Sequence, residues 1–142
     1  MNATMEKFGA PATLIRDYGH WVVLLRPGQV TLGSLVLICK EPATAFSMIS
    51  GAAFAELQLI TGHIEGMLRR KFNYDKINYL MLMMVDPDVH FHVIPRYETA
   101  REFSGQAFID RGWPGPPDLI NINITDAALN HQIMTALQAD WP

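Results

Sequence analysis

The run His90-Phe91-His92-Val93-Ile94-Pro95-Arg96 constrains the fold of this chain more than any other stretch. Its β-branched and aromatic residues favour extended backbone. In a strand, side chains alternate between faces, so His90 and His92 point the same way. Asp88 joins that face if the strand reaches back to it. Val89, Phe91 and Val93 then point to the opposite side, as residues on a core do. The run therefore demands a sheet with an apolar layer on one side and titratable groups on the other. Imidazoles so placed can serve as nucleophile, proton carrier or metal ligand. By spacing alone the pair could equally be structural or surface histidines.

The flanking segments indicate what surrounds this strand. Thr13–Asp17 and His20–Arg26 read as two strands joined at Tyr18-Gly19. Pro27-Gly28-Gln29 is a turn, and Leu32–Lys40 is a nearly continuous apolar strand ended by Glu41-Pro42. Ser50 is placed to cap a helix over about 51–71. Its apolar positions Phe54, Leu57, Ile60 or Thr61, Ile64, Met67 and Leu68 recur at a helical period, while Glu56, Glu65, Arg69 and Arg70 face water. Lys76–Val85 reads as a strand, and Asp86-Pro87-Asp88 as the turn into His90–Arg96, because Pro87 would break a helix. The strand is expected to end or lie at an edge near Pro95, which lacks an amide donor. Residues 1–11 look loosely held. Residues 98–123 carry Gly105, Gly112, Pro114, Gly115, Pro116 and Pro117 and read as surface loop. Thr125 is placed to cap a last helix over about 126–138, with Leu129, Ile133, Met134 and Leu137 inward. Strands, helix, hairpin, loop and helix in that order predict an α+β fold: an antiparallel sheet of about five strands with a long helix and a C-terminal helix on one side.

Composition narrows the function classes. The 142 residues include 49% hydrophobic and 18% charged residues, enough apolar content for one domain with a core, expected to span 1–142. A net charge of -3 provides no electrostatic footprint for nucleic acid or an anionic membrane. Arg69-Arg70-Lys71 suits the last turn of a helix. The single Cys39 allows no internal disulfide and, lying in an apolar strand, reads as buried filler. There is no apolar segment of bilayer length, so a cytoplasmic location is expected. A metal site on His90 and His92 would need a third ligand. Asp88, His20 and His63 have no spacing that ties them in, so no protein-held metal is expected.

Asp88-Val89-His90-Phe91-His92-Val93-Ile94-Pro95-Arg96 resembles the signature of the histidine triad family of nucleotide hydrolases and transferases. That signature has three histidines separated by single hydrophobic residues, followed by two further hydrophobics and often Pro-Arg. His90 and His92 match its second and third histidines, and Asp88 stands at the first. Gly33 with its strand, the helix, and Asn78 ahead of the histidines follow in the family's order. The resemblance covers roughly residues 13–97, with 98–142 as a C-terminal loop and helix. It implies that His90 is the nucleophile at a nucleotide α-phosphate, forming a nucleotidyl-imidazole that water resolves. It implies that a carbonyl on the same strand fixes the His90 tautomer, that His92 hydrogen-bonds the phosphate, and that Asn78 reaches a phosphate or the leaving group. Asp88, Arg26 and Arg96 are the substrate-binding candidates. Asp88 could instead buttress the site by accepting a hydrogen bond, and Arg96 could form a structural salt bridge. Arg26 stands where many members carry Asp or Asn for the ribose, and Glu41-Pro42-Ala43-Thr44 lacks a histidine that members often have. The substrate implied is a nucleotide conjugate, either a dinucleoside polyphosphate or a nucleoside phosphoramidate. Mg²⁺ would arrive with a polyphosphate rather than in a protein cage. The partner implied is a second copy of the chain, as a homodimer. The alternative is a non-catalytic nucleotide-binding or regulatory dimer.

Overall fold

The computed structural model describes residues 1–142. A short helix α1 (Ala3–Lys7) precedes strands β1 (Leu14–Asp17), β2 (Trp21–Leu25) and β3 (Leu35–Cys39). The long helix α2 (Gly51–Phe72) follows, then strands β4 (Lys76–Leu80) and β5 (His90–Arg96). A small hairpin, β6 (Arg101–Phe103) and β7 (Gln106–Phe108), leads through a loop to α3 (Ala127–Asp140). The fold is α+β. Five strands form one antiparallel sheet in the order β1-β2-β3-β5-β4.

Local chemistry explains the boundaries. Ser50 caps α2 by accepting from the Ala53 amide at 3.1 Å, and Asn73 ends it in the left-handed region at φ 49°. Arg69, Arg70 and Lys71 occupy the last turn, where cations complement the helix dipole. Gly33 is required at φ 87°, and a Cβ there would lie 3.0 Å from Leu68 and 3.1 Å from Phe72. This close approach seats the end of α2 against the turn before β3.

The sheet is buried on both faces over β2 and β3, which explains their unbroken apolar sequences. On one face, Val23, Leu25, Leu35, Leu37 and Val93 pack with Ile60, Ile64 and Met67 of α2 and Ile133 and Leu137 of α3. On the other, Val22, Leu24, Val36 and Ile38 pack with Met5. The long helix and the C-terminal helix thus share one side, as expected, and the unexpected α1 covers the second face. The N-terminal residues are fastened rather than loose. Asn2 caps α1, and its Nδ2 donates to the Cys39 carbonyl at 3.0 Å.

Three further expectations are corrected. β4 ends at Leu80, five residues short of Val85, and the stretch to Val89 is irregular, with Met83 at φ 53°. Residues 98–123 contain the β6–β7 hairpin and the buried side chains of Phe108, Asp110 and Asn123. The cap of α3 is Asp126, whose carboxylate accepts from the Leu129 amide at 2.8 Å. Pro95 lies within β5, but pairing with β3 stops at Val93, so the proline falls where β5 has only β4 beside it.

Candidate functional site

β5 places His90 and His92 on the sheet face opposite α2. His90 stands across from Ile38, and His92 between Val36 and Leu80. The rings are 5.3 Å apart, edge to face, and both residues are buried. Phe91 and Val93 point to the main core, as the alternation requires. A cleft of about 250 Å³ opens over the two rings.

The hydrogen bonds assign the ring protons. His90 Nδ1 lies 2.7 Å from the Asp88 carbonyl, which can only accept, so Nδ1 carries the proton and Nε2 is bare. The carbonyl is that of Asp88, two residues before His90 and just outside β5 rather than on the strand itself. His92 Nδ1 has the opposite kind of partner: Arg26 Nε donates to it over a long 3.4 Å. His92 Nδ1 is thus the acceptor, and its proton sits on Nε2. No buried side-chain nitrogen lacks a partner, and neither Nε2 has one within the chain, so neither is fully buried, and both rings line the cleft. Two adjacent imidazoles are held in opposite tautomers, one offering a lone pair and the other an N–H.

His92 is held neutral. Burial, then the Arg26 charge, then His90 push its pKa down to about 4. Burial also lowers the pKa of the Arg26 guanidinium. Arg26 lies just beyond β2, and the turn after it is braced from within. Gln29, fully buried, donates from Nε2 to the Arg26 carbonyl at 2.7 Å and to the Ser34 carbonyl at 3.0 Å, and accepts from the Gly33 amide at 2.9 Å.

Sequence reasoning missed several walls of this cleft. Phe8 packs edge-on to His92 at 5.6 Å and lies 6.1 Å from His90. Lys7 also lines it, paired with Asp86 at 2.9 Å. Leu82, Met83, Met84, Val85 and Leu119 complete an apolar rim. Neither the N-terminal segment nor residue 119 carries a motif. Only the methionine-rich stretch beside the histidines was a signal, and it reads equally well as strand.

The remaining candidates divide. Arg26 meets the histidines. Asn78 shares their sheet face, opposite Ile94, but faces a second cavity of about 480 Å³ with Lys76, Arg96 and Trp113. Its Oδ1 accepts from an Arg96 terminal nitrogen at 2.8 Å. Arg96 is buried and grips Asp110 with two bonds, 2.7 Å from Nε and 3.0 Å from the other terminal nitrogen. It does not reach the histidine cleft. Asp88 lies outside β5, and its carboxylate accepts from the Thr4 amide and hydroxyl. No three His, Cys, Asp or Glu side chains converge as a metal cage would, and no helix is long and apolar enough to cross a membrane.

No protein-family model matches this sequence, and no curated protein matches it. Solved structures do. A histidine triad protein from Sinorhizobium meliloti superposes with a TM-score of 0.76 at 18% identity, over 99% of this chain and 95% of that one. A histidine triad protein from Bradyrhizobium japonicum gives 0.72 at 18%, over 99% and 96%. The diadenosine triphosphate hydrolase of Plasmodium falciparum gives 0.66 at 10%, over 91% and 76%. The chain has the fold of histidine triad proteins.

Proposed function

We propose that this protein is a nucleotide hydrolase that cleaves a nucleotide conjugate at the α-phosphate through a nucleotidyl-His90 intermediate. The observation that carries the reading is the pair of opposed tautomers in one cleft. The bare Nε2 of His90 attacks phosphorus, forming a P–N bond as the bond to the leaving group breaks. The Nε2–H of His92 donates to a phosphoryl oxygen and stabilises the charge that develops there. Arg26, behind His92, adds positive potential. Water then attacks the phosphorus, the P–N bond breaks, and the mononucleotide leaves with His90 restored.

The superposition on a diadenosine triphosphate hydrolase supports a dinucleoside polyphosphate as substrate, and a nucleoside phosphoramidate fits the same chemistry. A polyphosphate would bring its own Mg²⁺. The decisive experiment incubates wild-type and His90→Ala protein with a panel of such conjugates and reads products by mass spectrometry. Loss of turnover by about 10³-fold or more in His90→Ala is expected, with a nucleotidyl adduct on His90 trapped when His92 is altered. Full hydrolysis by His90→Ala would end the proposal.

A second reading, a non-catalytic nucleotide-binding dimer, is favoured by Asn78. That amide is bonded to Arg96 and faces the neighbouring cavity, leaving His90, His92, Arg26 and the Lys7–Asp86 pair as the polar groups of the histidine cleft. Saturable AMP or GMP binding without turnover of any conjugate would establish this reading in place of the first.

A further inference from the structure

The Asp88 peptide has no place in the sheet. β4 has ended, β5 has not begun, and neither the amide nor the carbonyl of Asp88 bonds to another backbone group. The carbonyl nevertheless has to stand 2.7 Å from His90 Nδ1. Its anchor is Thr4, a residue only 1% exposed on α1. The Thr4 amide and hydroxyl both donate to Asp88 Oδ2, at 3.1 and 2.8 Å, and the Asp88 amide donates back to Thr4 Oγ1 at 3.3 Å. Three bonds between two residues leave the peptide little freedom to turn. α1 is itself tied to β3 through Asn2 and the Cys39 carbonyl, and to the far side of Pro87 through Lys7 and Asp86.

We propose that Thr4 and the Asp88 carboxylate are positioning residues for His90: their clasp fixes the Asp88 carbonyl, which holds the proton on His90 Nδ1 and keeps Nε2 bare. The Asp88 carboxylate then acts through a backbone group and not on the substrate. This suits its chemistry, because an ionised carboxylate facing the cleft would repel a phosphate. In catalysis the inference rests on the nucleotide-hydrolase reading, but the tautomer itself does not.

The test uses two readouts on the full chain. Imidazole ¹⁵N shifts report the His90 tautomer with no substrate present, and kcat and KM are measured on diadenosine triphosphate. In Thr4→Val and Asp88→Ala, His90 is expected to pass from the Nδ1–H form to a mixture. kcat is expected to fall by roughly ten- to a hundredfold, the scale seen when a partner that orients a ligating histidine is removed, with KM little changed. Thr4→Ser and Asp88→Asn keep the hydroxyl and the acceptor oxygen, and both are expected to keep the wild-type tautomer and rate. Circular dichroism identifies any variant that has lost its fold. A pure Nδ1–H ring in both disrupted variants, or an undiminished kcat in either, overturns the clasp, and so does failure of Thr4→Ser to rescue. A wild-type protein that hydrolyses nothing overturns the hydrolase reading instead, leaving the ¹⁵N result to decide the clasp alone.

Discussion

At the scale of single residues, the cleft depends on what sits behind each imidazole rather than on the imidazoles themselves. A carbonyl behind His90 and a guanidinium behind His92 give two identical side chains opposite roles. Arg26 makes this testable. His92 is expected to titrate with a midpoint near 4, well below the ordinary 6.5. In Arg26→Met the midpoint is expected to rise only part of the way, because burial outranks the Arg26 charge as its cause. An NMR titration of the His92 ring checks both values, and an unchanged midpoint in Arg26→Met would remove the electrostatic link. The same depressed pKa sets a sign for stability. Between about pH 6.5 and 4 the unfolded chain binds a proton at His92 that the folded chain refuses. This contribution to stability is therefore whole above pH 6.5 and is lost as the pH falls through that window.

At the scale of elements, legibility followed periodicity. β5, the β2–β3 pair and α2 were readable because alternation, unbroken apolar runs and a Ser cap with a helical stripe each have one dominant physical cause. Arg26 was readable only as a position, since its partner His92 lies 66 residues away. The N-terminal segment was not readable. α1 is too short for a hydrophobic period; a local Asn2 cap starts it, and a clasp from Thr4 to Asp88, 84 residues away, ties it down. Val85 misled for a related reason: residues 81–85 have strand-like composition but no strand beside them beyond Leu80. Asp110 was hidden inside a Gly/Pro-rich stretch that reads as loop. It nonetheless ties that stretch to β5 through Arg96, with side chains 4% and 1% exposed. Asp110→Ala leaves the Arg96 charge buried without its partner, so a loss of about 3–5 kcal/mol is expected in urea unfolding. A loss below about 1 kcal/mol would show that water reaches the pair. Asn78 would then lose its fixed neighbour as well, which makes the same variant a probe of the second cavity.

At the scale of the whole molecule, the two sheet edges are unlike each other. β1 is four residues long, with Arg16 and Asp17 exposed and Lys40 paired to Asp17 at 2.8 Å, a charged edge of the kind that resists pairing. β4 leads instead into the rim of the histidine cleft, where Met84 is 83% and Val85 81% exposed. Open strand hydrogen-bonding groups running into exposed apolar side chains suit a second copy of the chain better than water. Light scattering is therefore expected to report twice the 16.0 kDa of one chain. Burying a Val or Met side chain is worth about 1.5–3 kcal/mol. Met84→Lys or Val85→Lys is accordingly expected to weaken self-association by about ten- to a hundredfold, whereas Arg16→Ala on the opposite edge leaves it unchanged. Sedimentation at graded concentrations separates these outcomes. A wild-type chain that stays monomeric at high concentration would mean that the apolar rim serves the cleft alone, and that the walls around His90 and His92 are complete within one chain.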